Sequence, residues 1–312
     1  MSDQGVPHSN PRKGFLLALA SIILLAVSLV STKYALREIN PETLSLVWTT
    51  SAAVFAFLFL LLRGFGRELR IPGRLVVPVL VLGLFTGVDI ILNFASMRLL
   101  DPTFAAFLWC FLPVVSIILS LLFLGEKLSA RELPPMAVML FGAMASTYGQ
   151  WPIVGRGVIL ISVAVLFAAA QALIAKVVVP DIHPRVLVFY RNGMAAVGIA
   201  AWIVPAGRFD LSLVHLDTWI VVLGGAILGP WAGVMLFFAS LRYWELSRFS
   251  LVQITQPLFV LHDGRRLFTS NPETSRVDLG LLCSGRRVLV DPTTCEPNPF
   301  PNAIKNSRGV SS

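Results

Sequence analysis

Apolar runs of about 20 residues recur along almost the whole chain, and this feature constrains the fold more than any motif does. Eight candidate spans are read: Gly14 to Tyr34, Leu44 to Leu62, Leu75 to Met97, Thr103 to Leu124, Leu133 to Tyr148, Val158 to Val179, Val186 to Pro205, and Thr218 to Leu241. A helix of that length crosses a hydrocarbon core of about 30 Å. In lipid each backbone N–H and C=O needs an internal partner, so only helices and closed barrels can span. These runs lack the in-out alternation of barrel strands. The expected fold is therefore all-α, a polytopic transmembrane helical bundle. Composition points the same way, because 13% charged residues in a 312-residue chain, against about 25% in soluble domains, cannot coat a particle facing water.

The connectors carry turn punctuation at Asn40-Pro41, Pro72-Gly73, Asp101-Pro102, Pro134-Pro135, Trp151-Pro152 and His183-Pro184. They are short, which predicts one compact bundle. The formal net charge of +8 is scattered over these connectors and forms no basic patch with interleaved aromatics, so nucleic acid is not an expected partner. Cytoplasmic loops are enriched in Lys and Arg. With the N-terminus inside, the inner connectors collect Arg63, Arg67, Arg70, Arg74, Lys127, Arg131, Lys176, Arg185, Arg242 and Arg248, and the outer ones chiefly Arg37, Arg98, Arg156 and Arg208. A multi-pass protein of the inner (plasma) membrane with a cytoplasmic N-terminus is expected. Met1 to Lys13 resembles the opening of a signal peptide, but the apolar segments that follow favour an uncleaved first helix. Cys110, Cys283 and Cys295 show no metal-ligand or disulfide spacing, and no metal or cofactor is expected.

The chain contains an internal repeat. Phe94-Ala95-Ser96-Met97-Arg98 recurs as Phe238-Ala239-Ser240-Leu241-Arg242, and the offset of 144 holds from Asp101 opposite Glu245 to Pro113 opposite Pro257. Upstream, at an offset of 143, Lys33 and Pro41 match Lys176 and Pro184, and Ala52-Ala53-Val54 matches Ala195-Ala196-Val197. Five spans per copy is an odd number, so the second copy enters the membrane with opposite orientation. Such inverted repeats place a substrate site near the midplane between the halves, and rocking gives alternating access.

The second copy is incomplete. After Leu261 the apolar run ends in His262-Asp263-Gly264-Arg265-Arg266, and Phe249 to Leu261 makes only about 20 Å of helix. That ninth segment is expected to be marginal, interfacial or re-entrant. No later apolar stretch reaches spanning length, and an altered reading frame or truncation explains the abrupt break better than a natural polar tail does. The domains expected are a tail over 1–13, a first repeat of five helices over 14–150, an incomplete second repeat over 151–261, and a polar, disordered tail over 262–312.

The paired repeat units, together with the Pro113 helix running through Leu124-Gly125-Glu126-Lys127-Leu128 into a Gly142-containing fifth span and the matching Pro257 helix, carry a resemblance. The chain resembles the EamA-type carriers of the drug/metabolite transporter superfamily. That resemblance implies ten helices with both ends in the cytoplasm, and export or exchange of small metabolites. Over Gly14 to Leu261 the chain follows the pattern, and it departs by lacking the second Gly-Glu and the final helix.

Asp89, midway along the third span, costs about 2.5 to 3.5 kcal/mol on insertion scales and so should face a cavity or a partner. Asn93 and Ser96 follow at i+4 and i+7 on the same helical face. The stripe is a candidate route lining, with Asp89 taking a cation, proton or substrate amine. Arg191, beside Asn192, stands where the first copy has Trp48. The resembled family often has a basic residue there; pairing with Asp89, binding an anionic group and snorkelling to the interface are all open, with snorkelling favoured. Gln171, Gln253 and Gln256 are read first as interhelical hydrogen-bond formers, with substrate contact the second reading. Trp109 and Cys110 are read first as packing. Ala168, Ala172, Ser21 and Ser28 are read as close-packing positions, and Glu126 and Lys127 as a helix-end anchor.

The substrate-binding candidates are thus Asp89, Asn93, Ser96, Arg191, Gln171, Trp109 and Gln253. A membrane-embedded enzyme would want HExxH, GxSxG or paired intramembrane carboxylates, and none is present. The leading reading is a carrier whose partners are a small-molecule substrate and membrane lipids, with a homodimer left open. A non-transporting remnant is the alternative.

Overall fold

The computed structural model describes residues 10–63, 69, 71–100, 105, 108–109, 111–125, 137, 141, 151–211, 215–253, 255–256 and 259, with the backbone alone at 151–154. Every regular element among them is a helix: α1 (Pro11–Ala35), α2 (Pro41–Leu62), α3 (Gly73–Leu99), α4 (Phe111–Leu124), α5 (Trp151–Val178), α6 (Pro184–Ile203), α7 (Leu216–Ser240) and α8 (Leu246–Gln253). Six of these, α1, α2, α3, α5, α6 and α7, are long and apolar enough to cross a membrane. The fifth span apart from residues 137 and 141, together with Glu126, Lys127, Gly142, Cys110, Pro257 and everything from 260 onward, lies outside the described residues.

The helices start where capping chemistry allows. Asn40 Oδ1 accepts from the Thr43 N–H at 2.7 Å with Pro41 at the first helical position, and His183 with Pro184 repeats the device at the start of α6. Proline costs nothing there, since its missing N–H is one of the unpaired donors of a first turn. Trp151-Pro152 is likewise the first turn of α5, where a connector was expected. Gly125 ends α4 at φ 64°, the left-handed conformation that a Cβ would penalise. Within α7, Ile227–Gly233 widens into a π-helix around Pro230, which removes one ladder donor.

Polarity is inverted relative to a soluble protein. Leu62, Val77, Leu122 and Leu216 face outward, while Ser21, Thr86, Asp89, Gln171, Arg191 and Asn192 are buried. An apolar exterior around a polar interior is what lipid as solvent selects. Contacts between helices rely on small residues: a Cβ at Gly83 would run into Met194, and one at Gly225 into the Trp48 ring. Ser21 and Ser28 hold α1 against α7 by donating to the Gly233 and Gly225 carbonyls at 2.8 and 3.1 Å.

The halves interlock. α1 packs on α7, α3 on α5 and α6, and α2 on α6, so most large contacts join one copy to the other. The repeat is visible in hydrogen bonds. Lys33 Nζ donates to the Met97 and Leu100 carbonyls, and Lys176 Nζ to the Leu241 and Trp244 carbonyls, at offsets of 143 and 144. The two sets lie at opposite ends of the bundle. One end gathers the start of α1, Arg74 paired with Asp181 at 3.2 Å, and Arg242 donating to the Val179 and Ile182 carbonyls. The other gathers Asn40 and Thr43 donating to the Arg208 carbonyl, and Glu38 accepting from His215.

Over its described part the ninth segment is the helix α8. α8 begins at Leu246, three residues before the expected start, and Leu246, Ser247, Phe249 and Ser250 are buried against α4 and α1. Its serines, Ser247 and Ser250, face inward.

Candidate functional site

Between the two copies lies a cavity of about 190 Å³. Its polar lining comes from α3 (Asp89, Asn93), α5 (Gln171), α6 (Arg191), α1 (Ser28, Thr32), α4 (Ser116) and the α8 region (Ser250, Gln253, Gln256). Trp48, Phe94, Trp109, Phe237 and Phe249 supply apolar walls. A largely apolar pocket with a few converging polar groups is the usual form of a small-molecule site.

Gln171 organises the polar side. Its Nε2 donates to Asp89 Oδ2 at 3.0 Å, while its Oε1 accepts from Thr86 Oγ1 at 2.6 Å and from an Arg191 guanidinium N–H at 3.1 Å. Both lone pairs of the amide oxygen are used, so the amide cannot flip without breaking the set. The side chain thereby ties α5 to α3 and α6. Arg191 also donates to Asn192 Oδ1 at 3.3 Å, and Asn192 Nδ2 donates to the Pro230 carbonyl at 2.9 Å, where the π segment of α7 leaves a carbonyl to be satisfied.

This network ties down one carboxylate oxygen and leaves the other. Asp89 Oδ1 is buried and has no hydrogen-bond partner among the described residues, and neither has Asn93 Oδ1. The two residues are one helical turn apart on α3 and both line the cavity. Orphaned buried acceptors are costly, about 1 to 3 kcal/mol each and more for a charge, so a ligand offering donors gains by satisfying them.

Six of the seven sequence candidates, Asp89, Asn93, Gln171, Arg191, Trp109 and Gln253, meet at this cavity. Ser96 does not. It is fully buried and donates to the Asn93 carbonyl of its own helix at 2.7 Å, because i+7 on a straight helix has already moved one turn beyond the opening. Arg191 does not snorkel: it is 9% exposed and its guanidinium is held inside by Gln171 and Asn192. Ala168, Ala172 and Ser28, read as packing positions, line the cavity as well as pack. Thr86 and Ser250 were missed. The single Thr86 hydroxyl proton is shared between Gln171 Oε1 and the Leu82 carbonyl of its own helix, and no spacing rule marks the residue. Ser28 and Trp48 had a signal in the repeat, since they stand opposite Gln171 and Arg191 at an offset of 143.

Three likenesses bear on this arrangement. A curated relative from Bacillus subtilis (strain 168), named as an uncharacterized transporter YxxF, is 24% identical over 189 residues, covering 59% of this chain. The match spans 60% of that relative's length. A solved crystal structure shares 18% identity with a TM-score of 0.63 over 79% of this chain and 85% of its own, which shows a common fold. The sequence model of the EamA-like transporter family matches twice, over residues 12–148 and 155–283, the second match continuing past the point where the internal repeat fades. Two matches, one on each side of residue 150, cover most of the chain, and the protein belongs to the EamA-like transporter family.

Proposed function

We propose that this membrane transporter carries small metabolites, by export or exchange, through alternating access between its two inverted halves, with the cavity at Asp89 as the substrate site. The observation that carries the reading is the unpartnered Asp89 Oδ1 and Asn93 Oδ1 in a cavity lined by both copies. Acceptors without donors favour a substrate that brings N–H or O–H groups, a protonated amine above all, with its apolar part against Trp48, Phe94 and Phe249. Gln171 and Arg191 hold Asp89 in place from the other copy, so a relative movement of the halves alters the site itself. Orientation in the plasma membrane follows the cations. The end carrying Arg12, Lys13, Arg63, Arg74, Arg185, Arg242 and Arg248 is the richer and is taken as cytoplasmic, which puts the N-terminus there.

The test is reconstitution of the full chain in liposomes with a panel of small amines, zwitterions and neutral metabolites. Flux that saturates, and that falls at least about tenfold in Asp89→Asn at equal membrane insertion, is the expected result. Inserted, monodisperse protein without flux for any compound would make the chain a non-transporting remnant. A covalent product would make it an enzyme.

A further inference from the structure

Two contacts between the copies are related by the repeat and lie at opposite ends of the bundle. A Cβ built on Gly14 of α1 would sit 2.7 Å from Trp244 Cδ1, and one on Gly157 of α5 would sit 2.6 Å from Leu100 Cδ2. Gly14 and Gly157 are 143 residues apart, and Leu100 and Trp244 are 144 apart. Each large side chain therefore belongs to one copy and rests in a notch on the first helix of the other. Only glycine leaves that space.

The same large residues are also gripped through their backbones. Lys33 donates to the Leu100 carbonyl at 3.2 Å and to that of Met97 at 2.6 Å, while Lys176 donates to the Trp244 carbonyl and, at 2.8 Å, to that of Leu241. These carbonyls close α3 and α7, where a helix leaves its acceptors unpaired and an ammonium group is favoured. The lysine thus sets the position of the residue that fills the notch.

Their location relative to the cavity is symmetric. Leu25 and Ala168, equivalent in the repeat, both line the cavity, and Gly14 and Gly157 each lie eleven residues earlier, about 16 Å along their helices. One notch lies toward the α1 N-terminal end and the other toward the α3 C-terminal end.

We propose that Gly14–Trp244 with Lys176, and Gly157–Leu100 with Lys33, are the two gates of the transport path, one for each face of the membrane. The proposal rests on the transport reading above. Alternating access requires that one gate part while the other holds, and two equivalent latches between the halves supply that choice. The latches are not equal. The Trp244 indole N–H is buried and without a partner among the described residues, a cost the Leu100 seat does not carry, so the Trp244 gate opens the more readily.

The test uses a cysteine at Ser116, which lines the cavity, in the full chain with Cys110, Cys283 and Cys295 replaced by serine. A membrane-impermeant thiol reagent is applied from either side of oriented vesicles. Trp244→Ala should raise labelling at least about threefold from the side of the α1 N-terminus alone, and Leu100→Ala from the opposite side alone. Lys176→Met and Lys33→Met, which keep the packing, should give the same directions and decide the matter if either alanine variant aggregates. Equal changes from both sides, or none, would overturn the gates. Directional labelling without flux would leave the gates standing and sink the transport reading, and flux with undirected labelling would do the reverse.

Discussion

At the scale of single residues, the site depends on one neutral amide. Gln171 satisfies a carboxylate, a guanidinium and a hydroxyl at once. Replacing it with leucine fills similar space but takes a partner from all three and orphans Asp89 Oδ2, so Gln171→Leu should destabilise the protein by about 2 kcal/mol or more, seen as a lower melting temperature in detergent. Asp89→Asn keeps the shape and an acceptor but loses the charge. It should insert normally and lose flux, which separates recognition from folding. Arg191→Lys should also lose most activity, because an ammonium lacks the planar fork that reaches Gln171 and Asn192 together. Asp89, Gln171 and Arg191 were legible in the sequence because charge and amide are expensive in lipid and stand out. Thr86 and Ser250 were not, since hydroxyls occur throughout membrane helices and no spacing marks these two, and Ser28 was marked only by its place opposite Gln171 in the repeat.

At the scale of elements, the π segment of α7 and the close approach of α3 to α6 decide the cavity's walls. Asn192 bonds the Pro230 carbonyl inside that segment, and Asn192→Leu should cost up to about 2 kcal/mol and loosen α6 from α7, measured by faster hydrogen exchange in Ile227–Gly233. Gly83→Val drives a branched side chain into Met194 and should prevent assembly of α3 on α6, read as aggregated protein in gel filtration. At the start of α7, the His215 backbone N–H donates to Glu38 in the connector between α1 and α2 and holds its carboxyl below the ordinary value of 4.5. A depressed carboxylate stabilises the folded state above its unfolded pKa and loses that contribution as pH falls through the lower folded value. The melting-temperature gap between wild type and Glu38→Gln should therefore be present at pH 7 and close under acid below about pH 4.

At the scale of the whole molecule, the claim open to test is the inversion of the two halves. His183 caps the start of α6 and Arg208 follows its end, so cysteines placed at the two positions should be labelled from opposite sides of the membrane. Labelling of both from one side would remove the inverted repeat and the two-gate scheme together. The interlocking of α1 with α7 and of α3 with α5 further implies that neither half folds alone. Separate expression of 1–150 and 151–312 should give aggregated material, and coexpression should recover soluble complex in detergent.

Unaided, the sequence determined the solvent, the helices and the repeat. These follow from local quantities: run length against membrane thickness, proline and asparagine at helix starts, and identities recurring at a set offset. It also marked Asp89, since a carboxylate inside an apolar run has no cheap explanation. Only the tertiary structure decided that Arg191 turns inward, that Ser96 misses the cavity, and that α8 buries its serine face. Those outcomes depend on which helix lies opposite. An arginine two turns inside a helix has the reach either to snorkel or to stay, and the choice falls to the partner that waits for it, here the oxygen of Gln171 twenty residues away in sequence and 3.1 Å away in space.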